Sequence, residues 1–389
     1  MSAWEGQDPQ ADASLSLLSA PDRAFIDRVD RAALLEPPRV TIGQLKAMSS
    51  DERFLYDDDL GQWHAAMPFY ESATAADAFL QLDLAAPSSP GPAADLEAVL
   101  VVTGRPGVGK SKILQQRTKT LMLRAARLER LRAERGRPSF YADRGLRPGG
   151  VLFQFAPVVH ISLDRRVNEK GLFKALCDSV HYPYEDDPQK SFAEFMDAAA
   201  TRTVIIDEIQ FVNFDGQTGR YVHDALKWIT NGGRQLILGG HNMRWLMRPQ
   251  KVPAREASRL QSDGRWQLID VEKLAYTGPD ERDDWIGLLQ AIECRIKLAG
   301  HEEGEPVLSE EFAEYLWVVT LGYQNHLATL LKKALTAASR TSKQRLTMKI
   351  FDAVGVEKRA QTGRQQRVTV WREGQFPWTY DWPVKDDLE

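Results

Sequence analysis

The stretch that most constrains this chain runs from Ala98 to Ser111, AVLVVTGRPGVGKS. Its apolar run, Val99 to Val102, reads as a buried strand, and the residues from Lys110 onward read as a helix. Between them Gly104, Arg105, Pro106, Gly107, Val108, Gly109, Lys110 and Ser111 spell GxxxxGK[ST], the phosphate-binding loop, in the strand–loop–helix setting that motif requires. Glycines let the backbone curl so that successive N–H groups point at one phosphate, and the helix N-terminus adds partial positive charge. Lys110 is expected to reach the β- and γ-phosphates, the Ser111 hydroxyl to ligate Mg²⁺, and Lys112 to close the cofactor-binding stretch. ATP and Mg²⁺ are the cofactors this predicts.

A second element agrees with the first. Thr203-Val204-Ile205-Ile206-Asp207-Glu208 is an apolar strand that ends in two carboxylates. Asp207 is suited to hold Mg²⁺ and Glu208 to polarise an attacking water. Further buried strands are predicted at Ala156–Leu163 and Gln235–Leu238, with helices at Asp187–Ala199 and Tyr221–Thr230. Strands alternating with helices imply an α/β fold with a parallel sheet and ligands at the strands' carboxyl ends. The third core strand runs into Gly239-Gly240-His241-Asn242. If it neighbours the acidic strand, Asn242 or His241 can orient the lytic water, although Asn242 also suits a plain turn and His241 a packed ring. Arg255 and Arg259, in PAREASRL, suit either a surface helix or a residue that completes a neighbouring subunit's site by neutralising the transferred phosphoryl group.

From Tyr276 the pattern changes to helical periods, over Asp280–Ala299, Ser309–Val319, Asn325–Ala338 and Met348–Val354. The expected organisation is therefore an N-terminal helical and aromatic arm with a linker (1–94), a nucleotide-binding α/β domain (95–275), a small all-α domain (276–360) and an aromatic tail (361–389). Phe54, Tyr56, Trp63, Phe69 and Tyr70 make the arm either a satellite core on the α/β domain or a contact to a neighbouring subunit. Near its start, Ser50 followed by Arg53 is not a capping box. The tail, with Trp371, Phe376, Trp378, Tyr380 and Trp382, either packs across the helical domain or docks a partner through aromatic anchors.

Charge bears on the partners. The 389 residues carry a net charge of −4, so any nucleic-acid contact must be local. The strongest basic excess lies at 121–150; Arg124, Arg127 and Arg130, with Arg165 and Arg166 further on, form either solvated faces or a track for the phosphates of DNA. Two cysteines, Cys177 and Cys294, lack metal-type spacing and fit a reducing cytoplasm. The acidic, polar N-terminus is not a signal peptide, and no apolar run approaches a membrane span.

In the order of its parts the chain resembles the AAA+ ATPases: GRPGVGKS, then VIIDEIQ, LILGGHN, ASRL and a helical lid. More narrowly it is similar to the transposition ATPases of the TniB/TnsC kind. SSDERFLYDDDLGQWHAAMPFYES precedes the loop, and YTGPDERDDWIGLLQAIE with LGYQNHLATLLKKAL enters the lid. This resemblance, over roughly residues 50–355, implies a P-loop NTPase sheet sandwiched by helices and followed by an all-α lid. It implies a homo-oligomer, ring or helical filament, assembled with ATP on double-stranded DNA, which recruits a transposase or a target-selection adaptor and is cleared by hydrolysis. By motif, Asn242 would be the sensor and Arg259 or Arg255 the residue acting in trans. The lid turn Gly322-Tyr-Gln-Asn-His326 departs from the family by lacking the sensor arginine, and Gly240-His241 departs at the end of the sensor strand. The absence of a base-reading motif and the acidic net charge leave a second class open, a nucleotide-gated signalling or defence module that works through a protein partner without DNA.

Overall fold

The structure, a computed structural model, describes residues 14–30, 34–85, 99–140, 154–212, 216–230, 233–241, 243, 266–356 and 358–379. By contact the chain divides into two units. The first takes its described residues from Met1–Asp30, Ala78–Gly104 and Lys110–Val271; the second from Arg31–Asp77, Arg105–Gly109 and Glu272–Glu389.

The first unit is built on five parallel strands, β1 Val99–Thr103, β2 Val158–Ser162, β3 Thr203–Asp207, β4 Gln235–Gly240 and β5 Trp266–Asp270, in the order β2-β3-β4-β1-β5. β1, β3 and β4 are buried along their whole length, as continuous apolar runs are in a sheet covered on both faces. Successive side chains alternate between those faces. Val99, Val101, Val204, Ile206, Leu236 and Leu238 join a core with Leu172, Phe173, Phe192, Met196, Val222 and Leu226 from the helices Glu169–Ser179, Pro188–Ala198 and Gly216–Thr230. The opposite face meets the helix Lys110–Glu134, which buries Ile113, Leu114, Met122 and Ala126. His160 of β2 fixes that contact. Thr118 donates its hydroxyl to Leu114 O at 2.8 Å, so at 2.7 Å it accepts from His160 Nδ1–H. Burial holds the imidazole pKa down to about 4, so this ring is neutral.

Two helices of the first unit start where the sequence supplies side-chain caps. Asn168 accepts from Gly171 N at 2.9 Å, and Asp187, followed by Pro188 in the first turn, accepts from Lys190 N at 3.0 Å. The fifth strand, Trp266–Asp270, falls outside the sequence expectation. Among the described residues it pairs with β1 alone, at the sheet edge, and it buries Trp266 and Ile269 but not Gln267 or Asp270, so it lacks the apolar run that marks its neighbours.

The second unit is helical. Its core holds Trp285, Phe312, Tyr315, Trp317 and Phe351, with Trp317 donating its indole N–H to Leu274 O at 3.0 Å. The expected helix over Asp280–Ala299 is Pro279–Glu293, and Ser309–Val319 divides into a π-helical segment, Val307–Glu311, and the helix Ala313–Thr320. Glu293, buried at that break, accepts from Ser309 N at 2.6 Å and from its hydroxyl at 2.7 Å, which accounts for a carboxylate in the core. The Ala313–Thr320 helix ends at Leu321 and Gly322, both with positive φ. A β-carbon on Gly322 would lie 1.9 Å from Leu274 O, so only glycine fits there.

This unit bears on two sequence expectations. The aromatic pre-loop segment does not form a separate arm: the helix Ser50–Ala65 packs on Gln324–Ser339, Trp63 donates its indole N–H to Arg295 O at 2.8 Å, and the Arg295 guanidinium lies 3.7 Å from the centre of the Trp63 ring. The same helix opens with a capping box, but on Ser49 and Glu52, one residue ahead of the pair considered in the sequence. In the tail, Arg364–Arg372 is a helix, and Phe376 and Trp378 pack on Trp317 and Tyr276. Through residue 379 these aromatics therefore complete the helical core; Tyr380 and Trp382 lie outside the described residues.

Candidate active site

The loop after β1 turns through Gly107 (φ 87°) and Gly109 (φ 104°), values that residues with a β-carbon seldom adopt. Val108 between them is buried and anchors the turn. Lys110 opens the 25-residue helix and is 8% exposed. Its ammonium donates to Gly104 O at 2.9 Å, folding the side chain back over its own loop. Burial draws its pKa down, while the Glu208 and Asp207 carboxylates oppose the shift. Ser111 follows in the first helical turn, half-buried, and Lys112 is exposed.

Asp207 ends β3 and is 3% exposed. Its Oδ1 accepts from Glu208 N at 2.9 Å. Glu208 itself sits in the left-handed region, φ 58° and ψ 39°, a conformation costly for a non-glycine residue and concentrated at functional sites. The Glu208 carboxylate accepts from the Gln210 side-chain amide.

β4 lies between β1 and β3, so its carboxyl end separates the loop from the acids: Thr103 pairs with Gly240 and Ile206 with Leu238. Two consecutive glycines end this strand. A β-carbon on Gly239 would meet Asp207 Oδ1 at 2.6 Å, and one on Gly240 would meet Gln210 Oε1 at 2.8 Å. Thr103, at the end of β1, accepts from Met243 N at 3.0 Å and pins the chain beyond β4. Thr103 and Gln210 are the residues here that the sequence reading missed. Thr103 closes the strand motif without standing out, and Gln210 carries no charge; the DEIQ string is the one signal that could have marked it.

His241 is exposed at the end of β4; Asn242, Arg255 and Arg259 lie outside the described residues. Arg105 donates to the Tyr323 hydroxyl at 3.2 Å, and Asn325 N donates to Gly107 O at 3.0 Å. Of the arginines considered for DNA, Arg124 and Arg127 are exposed on one helix, and Arg130 pairs with Glu134 at 3.7 Å. Glu129, on the same helix, is buried and accepts from Phe140 N. Arg165 and Arg166 are exposed on the wall of a cavity of about 830 Å³ beyond the ends of β2 and β3.

The donor set is hard oxygen: one hydroxyl, Ser111, and one buried carboxylate, Asp207. That suits Mg²⁺, which is held by one or two protein ligands together with phosphate oxygens and water. Among the described residues no group of three or more His, Cys, Asp or Glu is arranged to hold a metal by itself. No helix among them is long and apolar enough to cross a membrane.

No family model and no curated protein matches the chain. Solved structures do. Cdc6p from Pyrobaculum aerophilum is similar at 13% identity and TM-score 0.44, over 72% of this chain and 66%, just under two thirds, of that one. The Walker-type ATPase of Pyrococcus abyssi is similar at 14% identity and TM-score 0.41, over 79% and 74%. AMPPCP-bound DnaA from Aquifex aeolicus is similar at 13% identity and TM-score 0.30, over 81% and 92%.

Proposed function

We propose that this chain is an AAA+ ATPase that binds Mg²⁺–ATP and acts as a switch on double-stranded DNA, of the kind that regulates transposition. The observation that carries the nucleotide reading is the geometry at the strand ends: the Lys110 ammonium held on Gly104 O just past β1, with one intervening strand between β1 and the strand that ends in Asp207, and in that intervening strand Gly239, which leaves room for the carboxylate. In this reading the loop amides and Lys110 bind the β- and γ-phosphates. Ser111 and Asp207 hold Mg²⁺, whose chemistry is to neutralise charge on the phosphates. Glu208 takes up a proton from the attacking water. Asn242 orients that water, and Arg259 or Arg255 reaches the site of a neighbouring copy in a homo-oligomer.

The DNA part rests on the sequence resemblance and on exposed Arg124, Arg127, Arg165 and Arg166. Binding through phosphates predicts an affinity that falls steeply with salt. A transposase, or an adaptor that selects the target, is the protein partner this reading implies. The net charge of −4 favours a second reading, a nucleotide-gated module that works through a protein partner without DNA.

Negative-stain electron microscopy with an ATP analogue, with and without plain duplex DNA, separates the two. Rings or filaments that need both ligands support the DNA switch. Single particles indifferent to DNA at low salt favour the protein-partner module. Loss of nucleotide binding in Lys110→Ala tests the site itself.

A further inference from the structure

The segment ahead of the sheet builds a cavity that the proposed function leaves unused. Leu18 makes a parallel bridge with Phe155 just before β2, and the helix Ala20–Asp30 then packs on the phosphate-loop helix. The cavity these elements enclose has a volume of about 850 Å³, the size of a small-molecule site. Phe25, Met122, Val159, Val180, Tyr182 and Phe195 give it an apolar wall. The Phe25 ring lies against His160, centres 5.3 Å apart, and Tyr182 against Phe195 at 5.6 Å.

Two acceptors on that wall have no donor among the described residues. Asp22 N donates to Ser19 Oγ at 3.1 Å, and the Asp22 carboxyl accepts from the Ser19 backbone and hydroxyl in return. That exchange uses one carboxyl oxygen. The other, Oδ2, is shut off from water and has no hydrogen-bond partner. Burial raises the Asp22 pKa to about 6, although the Ser19 bonds act to lower it, so near pH 7.5 the carboxyl is ionised and Oδ2 can only accept. The second acceptor is His160 Nε2, left with its lone pair because Nδ1–H serves Thr118.

We propose that this cavity binds a small, neutral nitrogen heteroaromatic molecule whose ring N–H is accepted by Asp22 Oδ2. The inference goes beyond the ATPase reading and does not depend on it. A buried acceptor without a donor is costly, and a ligand N–H recovers that cost. The flanking rings of Phe25, His160, Tyr182 and Phe195 suit a flat body that stacks or meets them edge to face. Charge is disfavoured in either sign. The Arg28 guanidinium, over the Phe25 ring at 5.6 Å, lines the same cavity and opposes an organic cation. Asp22 and the Nε2 lone pair oppose an anion.

The probe is indole, two fused rings with one N–H. Its control is benzofuran, the same frame with a ring oxygen in place of that N–H. Binding of each to the full chain is followed by ligand-detected NMR titration at pH 7.5. Indole is expected to bind the parent at least about tenfold more tightly than benzofuran, the factor expected from one buried acceptor left unanswered. Asp22→Asn should erase that preference. Its amide oxygen must take the place that accepts from Ser19, which leaves the NH₂ facing the ligand's N–H. Val180→Trp should fill the cavity and abolish binding of both molecules. No indole binding by the parent overturns the inference, and so does equal affinity for the two molecules, a comparison that needs no variant. A parent-like preference in folded Asp22→Asn, or parent-like indole binding by Val180→Trp, overturns it as well. Nucleotide binding by the same parent preparation tests the ATPase reading separately, so the two can fail independently.

Discussion

A β-carbon on Gly239 would stand 2.6 Å from Asp207 Oδ1 and 2.3 Å from Leu114 Cδ1. Gly239 lies within a strand whose conformation alanine tolerates, so the glycine is there for space. Gly239→Ala must displace both the Asp207 carboxylate and the Leu114 side chain. Overpacking of this sort costs about 1–3 kcal/mol. The expected outcome in chemical denaturation is a loss of that size, with Mg²⁺-dependent nucleotide binding weakened in the folded fraction. Parent-like stability and parent-like Mg²⁺ dependence together would contradict the close packing.

Lys110 and Glu208 divide the proposed work, and their variants should differ. Lys110→Ala is expected to lose nucleotide binding. Glu208→Gln is expected to bind ATP as the parent does and to hydrolyse it at least about 10²-fold more slowly, the contribution expected of a positioned general base. Fluorescent-nucleotide binding and phosphate release, measured on the same preparations, separate the two effects. Equal turnover by Glu208→Gln and the parent would remove Glu208 from the role of base.

Acid should loosen the helical unit through His64. Its Nε2 accepts from Lys297 N at 3.2 Å, and burial, then the nearby Arg295 charge, hold its pKa down from 6.5 to about 4. The unfolded chain therefore takes up a proton that the folded chain refuses, and stability falls as pH drops from 6.5 toward 4. The full effect is about 3 kcal/mol. Denaturation of the parent and of His64→Gln at pH 7 and pH 4.5 isolates this term. The parent should lose the more stability between the two, and equal losses would show that His64 does not carry it.

Arg367 is buried at 4% exposure in the segment that the sequence left as a tail. It donates to Val318 O at 3.0 Å, Thr362 O at 2.8 Å and Ala360 O at 2.6 Å. Arg367→Met keeps much of the volume and strands those carbonyls. At about 1–3 kcal/mol for each buried group left unsatisfied, the expected loss is at least about 3 kcal/mol. A chain ending at Gly363 should unfold at still lower denaturant, because Tyr276 and Trp317 lose Phe376 and Trp378. A truncated chain as stable as the parent would restore the view of this segment as a free docking peptide.

What the sequence made legible follows from burial. β1, β3 and β4 are covered on both faces, so Val99–Thr103, Thr203–Asp207 and Gln235–Gly240 stand out as apolar runs. The loop and the acidic pair are read from those runs. Among the described residues β5 has one strand neighbour and is only partly buried, and Trp266-Gln-Leu-Ile-Asp270, broken by Gln267 and ended by Asp270, carries no comparable signal. The aromatic tail was ambiguous for another reason. Phe376 and Trp378 are satisfied by Tyr276 and Trp317, partners far back in the chain that no local pattern reveals. Gln210 was missed because its significance lies in what it touches: one carboxylate, one glycine and one cavity wall.

The helical unit draws its residues from both sides of the five strands in sequence, which sets the order in which the protein can be made. Trp63 finds the carbonyl of Arg295 only 232 residues later. At about 5–20 residues per second a ribosome takes roughly 10–50 s to supply it. Helices themselves form in microseconds. The nascent helix Ser50–Ala65 therefore waits with Tyr56, Leu60 and Trp63 uncovered while the five strands of the sheet emerge and fold behind it. That interval is when this chain is most exposed to chaperones and to association with its own copies, and it ends only when the last helices leave the ribosome.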